Sequence, residues 1–116
     1  LREVEKAYNC HRPRSILVED HGSGIGLIQT LRERRLPIVG VKPKGVTVMR
    51  MHAHTATLEA GKVFLKAGAP WLDDWRNEIL PFPHGRHDDQ VDALSQLMTW
   101  DADRRIRKAS IRDLRW

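Results

Sequence analysis

Apolar positions along the chain change their period several times, and each change marks an element. From Leu1 to Asn9, Val4, Ala7 and Tyr8 fall on one stripe, the spacing of an amphipathic helix. His11, Arg12, Pro13 and Arg14 end it, because proline disfavours helical geometry in the residue before it. Ile16, Leu17 and Val18 then form a continuous apolar run, which predicts a strand buried on both faces. Gly22, Ser23, Gly24 and Gly26 make the turn into a helix running to about Arg35, with Ile25, Leu27, Ile28 and Leu31 as its stripe. After Pro37, Ile38, Val39 and Val41 give another short strand. Strand, helix and strand with short joins predict a βαβ unit and a parallel sheet.

Pro43 and Gly45 break the pattern, and Val46 to about Glu59 reads as a helix burying Val48, Met51 and Leu58. Beyond Gly61, Val63, Phe64 and Leu65 predict a short strand. Trp71, Leu72, Trp75, Ile79 and Leu80 keep helical spacing, with Trp71 and Trp75 expected in the core. Pro81, Pro83 and Gly85 close that helix. A last helix runs from about Asp88 to Trp100 and points Val91, Leu94, Leu97 and Met98 inward. This divides the chain into a domain over 1–100 and a tail over 101–116 carrying Arg104, Arg105, Arg107, Lys108, Arg112 and Arg115. The opening helix has neither a cap nor an initiating Met, so a fragment of something longer is expected.

Composition narrows the function classes. A chain of 116 residues is one compact domain, and at this size folding removes roughly two thirds of the unfolded surface from water. Its 41% apolar and 30% charged residues argue against disorder. Twenty basic against 15 acidic residues give a net charge of +5, which suits a polyanionic partner without specifying one. The lone Cys10 excludes an internal disulfide framework and a cysteine-rich zinc module. No apolar run reaches the roughly 18 residues that span a bilayer, so no membrane partner is expected and the default is a cytoplasmic protein.

Two acidic groups stand out. Glu19 and Asp20 end the first predicted strand, and α/β sheets bind ligands beyond the carboxyl ends of their strands. A polar pair closing a strand explains them equally well. The second group is Asp88, Asp89 and Asp92. Asp88 or Asp89 suits a helix N-cap, and Asp92 lies one turn further along the same face. Carboxylates so placed repel unless a cation or a partner sits among them, and Mg²⁺ is bound by one or two carboxylates plus substrate phosphates. A cap with solvated neighbours is the alternative. The Gly22–Gly26 turn lacks the G-x-G-x-x-G spacing, and acids before it would repel a pyrophosphate, so nucleotide binding ranks last. His52 and His54 point different ways on their helix, and His87 beside the carboxylates reads first as a surface residue. The basic tail could follow a phosphate backbone or be a solvated helix.

The stretch Ser15-Ile-Leu-Val-Glu-Asp-His-Gly-Ser-Gly-Ile-Gly resembles the second acidic strand of the nuclease domain in phage terminase large subunits. Gly40-Val-Lys-Pro-Lys, Glu59-Ala-Gly-Lys-Val and Ala69-Pro-Trp-Leu-Asp-Asp resemble the segments that follow. The most specific match is Phe82-Pro-His-Gly-Arg-His-Asp-Asp-Gln-Val-Asp-Ala-Leu94. The resemblance covers about residues 15–100, in the family's order, and is strongest to prophage and tailed-phage terminases.

That resemblance implies an RNase H-like (RuvC-like) α/β fold, a mixed sheet flanked by helices that cuts double-stranded DNA with Mg²⁺ or Mn²⁺. Two such ions about 4 Å apart would activate water and stabilise the leaving oxygen. The motif Glu-x-x-x-x-Gly maps one acid onto Glu19 with Gly24 as its glycine, while Asp20 stays in play. The last acid falls on Asp92, and Asp89 takes the place of a helper His or Asp. The terminase small subunit and the portal protein are the implied partners. The family's first strand, its catalytic Asp and the ATPase motor are missing, so this chain alone is expected to be inactive. Val46-Thr47 stands where the family has an Asp-Lys pair. The unpaired sheet edge is a route to a homodimer. The alternatives are a non-enzymatic prophage remnant or DNA-binding module on the same scaffold, and a resolvase or transposase.

Overall fold

The computed structural model describes residues 1–113, with side chains to residue 108. The chain is α/β, and its backbone falls into two compact units, Leu1–Lys44 and Gly45–Trp116.

The first unit is the predicted βαβ with a helix before it: α1 (Arg2–His11), β1 (Ile16–Glu19), α2 (Ser23–Glu33) and β2 (Ile38–Val41). Arg12 closes α1 in a left-handed conformation, its N–H bonded to the Tyr8 carbonyl at 2.8 Å and its guanidinium over the Tyr8 ring. The strands are parallel, with Ile16 opposite Ile38 and Glu19 opposite Val41. Ile28 and Leu31 of α2 pack with Ile38, and Val4, Ile16, Val18, Leu27 and Leu36 close around them. Side chains alternate across a strand, so Ile16 and Val18 face α2 while Leu17 and Glu19 take the other face. β1 is therefore half-buried along its length, not buried on both faces as the apolar run predicted. Ile25, in the first turn of α2, is exposed rather than part of the buried stripe.

The second unit holds α3 (Thr47–Ala53), α4 (Thr55–Glu59), α5 (Leu72–Ile79) and α6 (Asp89–Asp113). The helix predicted over Val46–Glu59 is broken at His54, which caps both pieces and turns its ring inward. Its buried residues are Arg50 and His54, whereas Val48 is exposed. The strand predicted at Val63–Leu65 does not form: the segment has no regular structure and Phe64 is 88% exposed, so this apolar run has too little buried surface to hold it extended. Trp71 and Leu80 are exposed because they are the end caps of α5 rather than members of its stripe, while Leu72, Trp75 and Ile79 are half-buried.

Along α6, Val91, Ser95 and Gln96 are buried, and Leu94 and Met98 are half-buried. Leu97 is exposed, contrary to expectation, because it lies off the stripe that contacts α3. α6 continues through most of the basic tail. Arg104 lies over the Trp100 ring and Arg105 pairs with Asp101 at 2.9 Å. The Arg112 side chain and Arg115 lie outside the described residues. No helix among the described residues is long and apolar enough to cross a membrane.

Candidate functional site

Glu19 and Asp20 stand where β1 gives out, and the backbone holds both. The Asp20 N–H donates to the Val41 carbonyl at 2.8 Å, extending the ladder one residue past the strand. The Asp20 side chain lies over Gly40, on the face covered by α2: a Cβ on Gly40 would meet Ile28 Cδ1 at 3.4 Å and Asp20 Cβ at 3.5 Å. Glu19 belongs to the opposite face with Leu17. The two acids are thus neighbours in sequence that cannot serve one ligand from one side of the sheet. Gly24 sits directly against the Glu19 carbonyl, where any side chain would collide. The five-residue spacing between this acid and its glycine therefore has a steric cause, since the first turn of α2 closes over the end of β1.

The second acidic group is divided by its partners. Asp89 opens α6 and is exposed, as is Asp88, whose carbonyl accepts the Asp92 N–H at 2.8 Å. The carboxylate that caps this helix comes from Glu78 of α5. Its Oε2 accepts from the N–H groups of Gln90 at 2.5 Å and Val91 at 3.0 Å. A carboxylate there satisfies orphan donors and complements the helix dipole, the role that sequence suggested for Asp88 or Asp89.

Asp92 already has a cation beside it. Arg50 of α3, 6% exposed, forms an ion pair with Asp92 Oδ1. The Thr47 hydroxyl donates to the same oxygen at 3.0 Å. Arg50 Nε donates to Ser95 Oγ at 3.0 Å and Nη1 to the Gly45 carbonyl at 2.7 Å. One turn on, His54 Nε2 lies 2.9 Å from Thr99 Oγ1, whose hydroxyl donates to the Ser95 carbonyl at 2.8 Å. The pairs Thr47–Asp92, Arg50–Ser95 and His54–Thr99 each span 45 residues. A constant interval means that the two helical segments run parallel and in step, joined by a ladder of polar pairs.

Sequence reasoning missed Arg50, Ser95, His54 and Glu78. The signal was present: Thr47, Arg50 and His54 keep the same three- and four-residue steps as Asp92, Ser95 and Thr99, a helical stripe written in polar residues. His87 is exposed, as expected of a surface residue, and His52 points to solvent while His54 does not. Among the described residues, no three His, Cys, Asp or Glu side chains cluster closely enough to hold a metal ion.

Comparison with curated proteins and with solved structures returns no match. Residues 1–99 match the family model of the terminase RNaseH-like domain, a stretch that includes both acidic groups. By that match over most of its length, this α/β chain, with its acid-ended strand and its acidic last helix, belongs to the terminase RNase H-like domain family.

Proposed function

We propose that the chain is the C-terminal part of a phage terminase nuclease domain, a divalent-metal endonuclease that cuts concatemeric viral DNA during genome packaging. The observation that carries this reading is the closed contact of Gly24 on the Glu19 carbonyl. It gives the family's Glu-x-x-x-x-Gly spacing a structural purpose, and it fixes an acid at the carboxyl end of a strand.

Carboxylates are the right type of donor for a hard divalent ion. Glu19 or Asp20, and Asp92 with Asp89 near it, offer carboxylate oxygens, the ligands that Mg²⁺ and Mn²⁺ prefer. An ion bound at either group would supply the positive charge that an attacked phosphodiester requires. The chain's own part is to hold the acids still: the ladder to Val41 and the Gly24 contact hold the end of β1, and Thr47 with Arg50 holds Asp92. A third acid, double-stranded DNA, the terminase small subunit and the portal protein complete the proposed system, in the cytoplasm of a bacterial host.

A second reading is a DNA-binding scaffold without cleavage. The observation favouring it is the exposed basic run Arg104, Arg105, Arg107 and Lys108 on α6, which suits a phosphate backbone.

Titration of Mn²⁺ into the chain, followed by paramagnetic line broadening, tests the first reading. Broadening centred on Glu19 or Asp20 and on Asp92 supports it. Diffuse broadening over the whole acidic surface leaves only the scaffold.

A further inference from the structure

We propose that Arg50 is a positioning residue for Asp92: it fixes the carboxylate through Oδ1 and, by its charge, holds down the affinity of Oδ2 for a divalent cation. This rests on the nuclease reading and extends it to a residue that acts through Asp92.

Three routes lead from the guanidinium to Asp92. The first is direct, from Nη2 to Oδ1. The second passes through Thr47, whose Oγ1 accepts from Nη2 at 3.2 Å and donates to Oδ1 at 3.0 Å. The third passes through Ser95, whose Oγ accepts from Nε at 3.0 Å and donates to the Asp92 carbonyl at 2.8 Å. The rigid fork of arginine suits such a task, because each bond made restricts the others. Nη1 anchors the fork to the Gly45 carbonyl at 2.7 Å, so it cannot swing away without breaking several bonds together.

The two oxygens of Asp92 are treated differently. Both strong donors converge on Oδ1, while Oδ2 receives a 3.5 Å contact from Gln96. The Asp92 side chain is 30% exposed, so solvent reaches it. A carboxylate held by one oxygen and presented by the other is pre-set for a cation. The Arg50 charge opposes that cation across a distance that water screens poorly, since Arg50 itself is buried. Asp92 is therefore well placed but a weak ligand until further donors, such as a second carboxylate or DNA phosphates, join it.

Mn²⁺ titration of the full chain separates the two effects, read as paramagnetic broadening at Asp92 and Glu19 in wild type, Arg50→Met, Arg50→Lys and Asp92→Asn. Arg50→Met removes the charge and should tighten Mn²⁺ at Asp92 by about tenfold or more. Arg50→Lys keeps the charge and loses the fork, so affinity should stay near wild type while the Asp92 side chain samples several rotamers. Asp92→Asn should remove the site. An affinity at Asp92 that Arg50→Met leaves unchanged or lowers would overturn the proposal. Should Arg50→Met fail to fold, the wild type decides through its Arg50 Nε–H resonance. Saturating Mg²⁺ should shift that resonance, and no movement would overturn the role. Binding at Glu19 that ignores Arg50, with none gained at Asp92, counts against Arg50 alone. Binding at neither acid in any variant counts against the nuclease reading too.

Discussion

Gly24 lies so close to the backbone oxygen of Glu19 that a Cβ on the glycine would overlap it. The helix entering after β1 can close over the strand end only because that position has no side chain, and the closure fixes where Glu19 sits. Gly24→Ala forces a shift of backbone rather than of a flexible side chain and should cost about 1–3 kcal/mol. Gly26, two residues further along α2, has nothing within 4 Å. Gly26→Ala should be neutral or gain up to about 1 kcal/mol from helix propensity. Urea denaturation of the two variants checks the opposite signs.

Removing one partner of the Arg50–Asp92 pair leaves a buried guanidinium without its carboxylate. Asp92→Ala should therefore cost about 3 kcal/mol, and Arg50→Met combined with Asp92→Ala should restore part of it. The exposed pair Arg34–Glu5 provides the contrast, since Arg34→Ala should cost no more than about 1 kcal/mol. A double-mutant cycle by thermal melting measures both.

Glu78 holds the N-terminus of α6 from another helix. Glu78→Ala should lower stability by about 1 kcal/mol and speed hydrogen exchange at the Gln90 and Val91 amides, its direct donors. Asp89→Ala should leave those two amides protected, because Asp89 is not their cap.

If α6 follows DNA, binding to a duplex should weaken steeply with salt. Replacing Arg104, Arg105, Arg107 and Lys108 by Gln should flatten the log–log slope by up to about 0.9 for each phosphate no longer neutralised. A slope that does not change would move the DNA surface elsewhere on the chain.

The βαβ unit was legible because its signals agree: an apolar run, a glycine turn, a helical stripe and a proline before the second strand all point to one arrangement. The same reading misplaced the strand at Val63–Leu65, because a short apolar run states a preference for extended backbone but not how much of its surface will be buried. It misplaced Trp71 and Leu80 by extending a helical stripe onto its own caps. The packing of α3 on α6 stayed hidden for a different reason. Apolar periodicity finds interfaces made by burial of hydrocarbon, whereas Thr47, Arg50 and His54 meet Asp92, Ser95 and Thr99 through hydrogen bonds. For the acids, the family resemblance singled out Glu19, with Asp20 in play, and Asp92, but nothing in the sequence pattern said that Asp92 already has a cationic neighbour.

If these residues complete a DNA-cutting site, a transplant shows it most directly. Residues 1–99 would replace the matching segment of an intact terminase of the same family, and Mn²⁺-dependent nicking of supercoiled plasmid would be measured. The folded chimera should cleave, and cleavage should be abolished by Glu19→Gln and by Asp92→Asn and retained by Asp89→Asn at reduced rate. A folded chimera that does not cut, or one indifferent to Glu19 and Asp92, would contradict the nuclease reading.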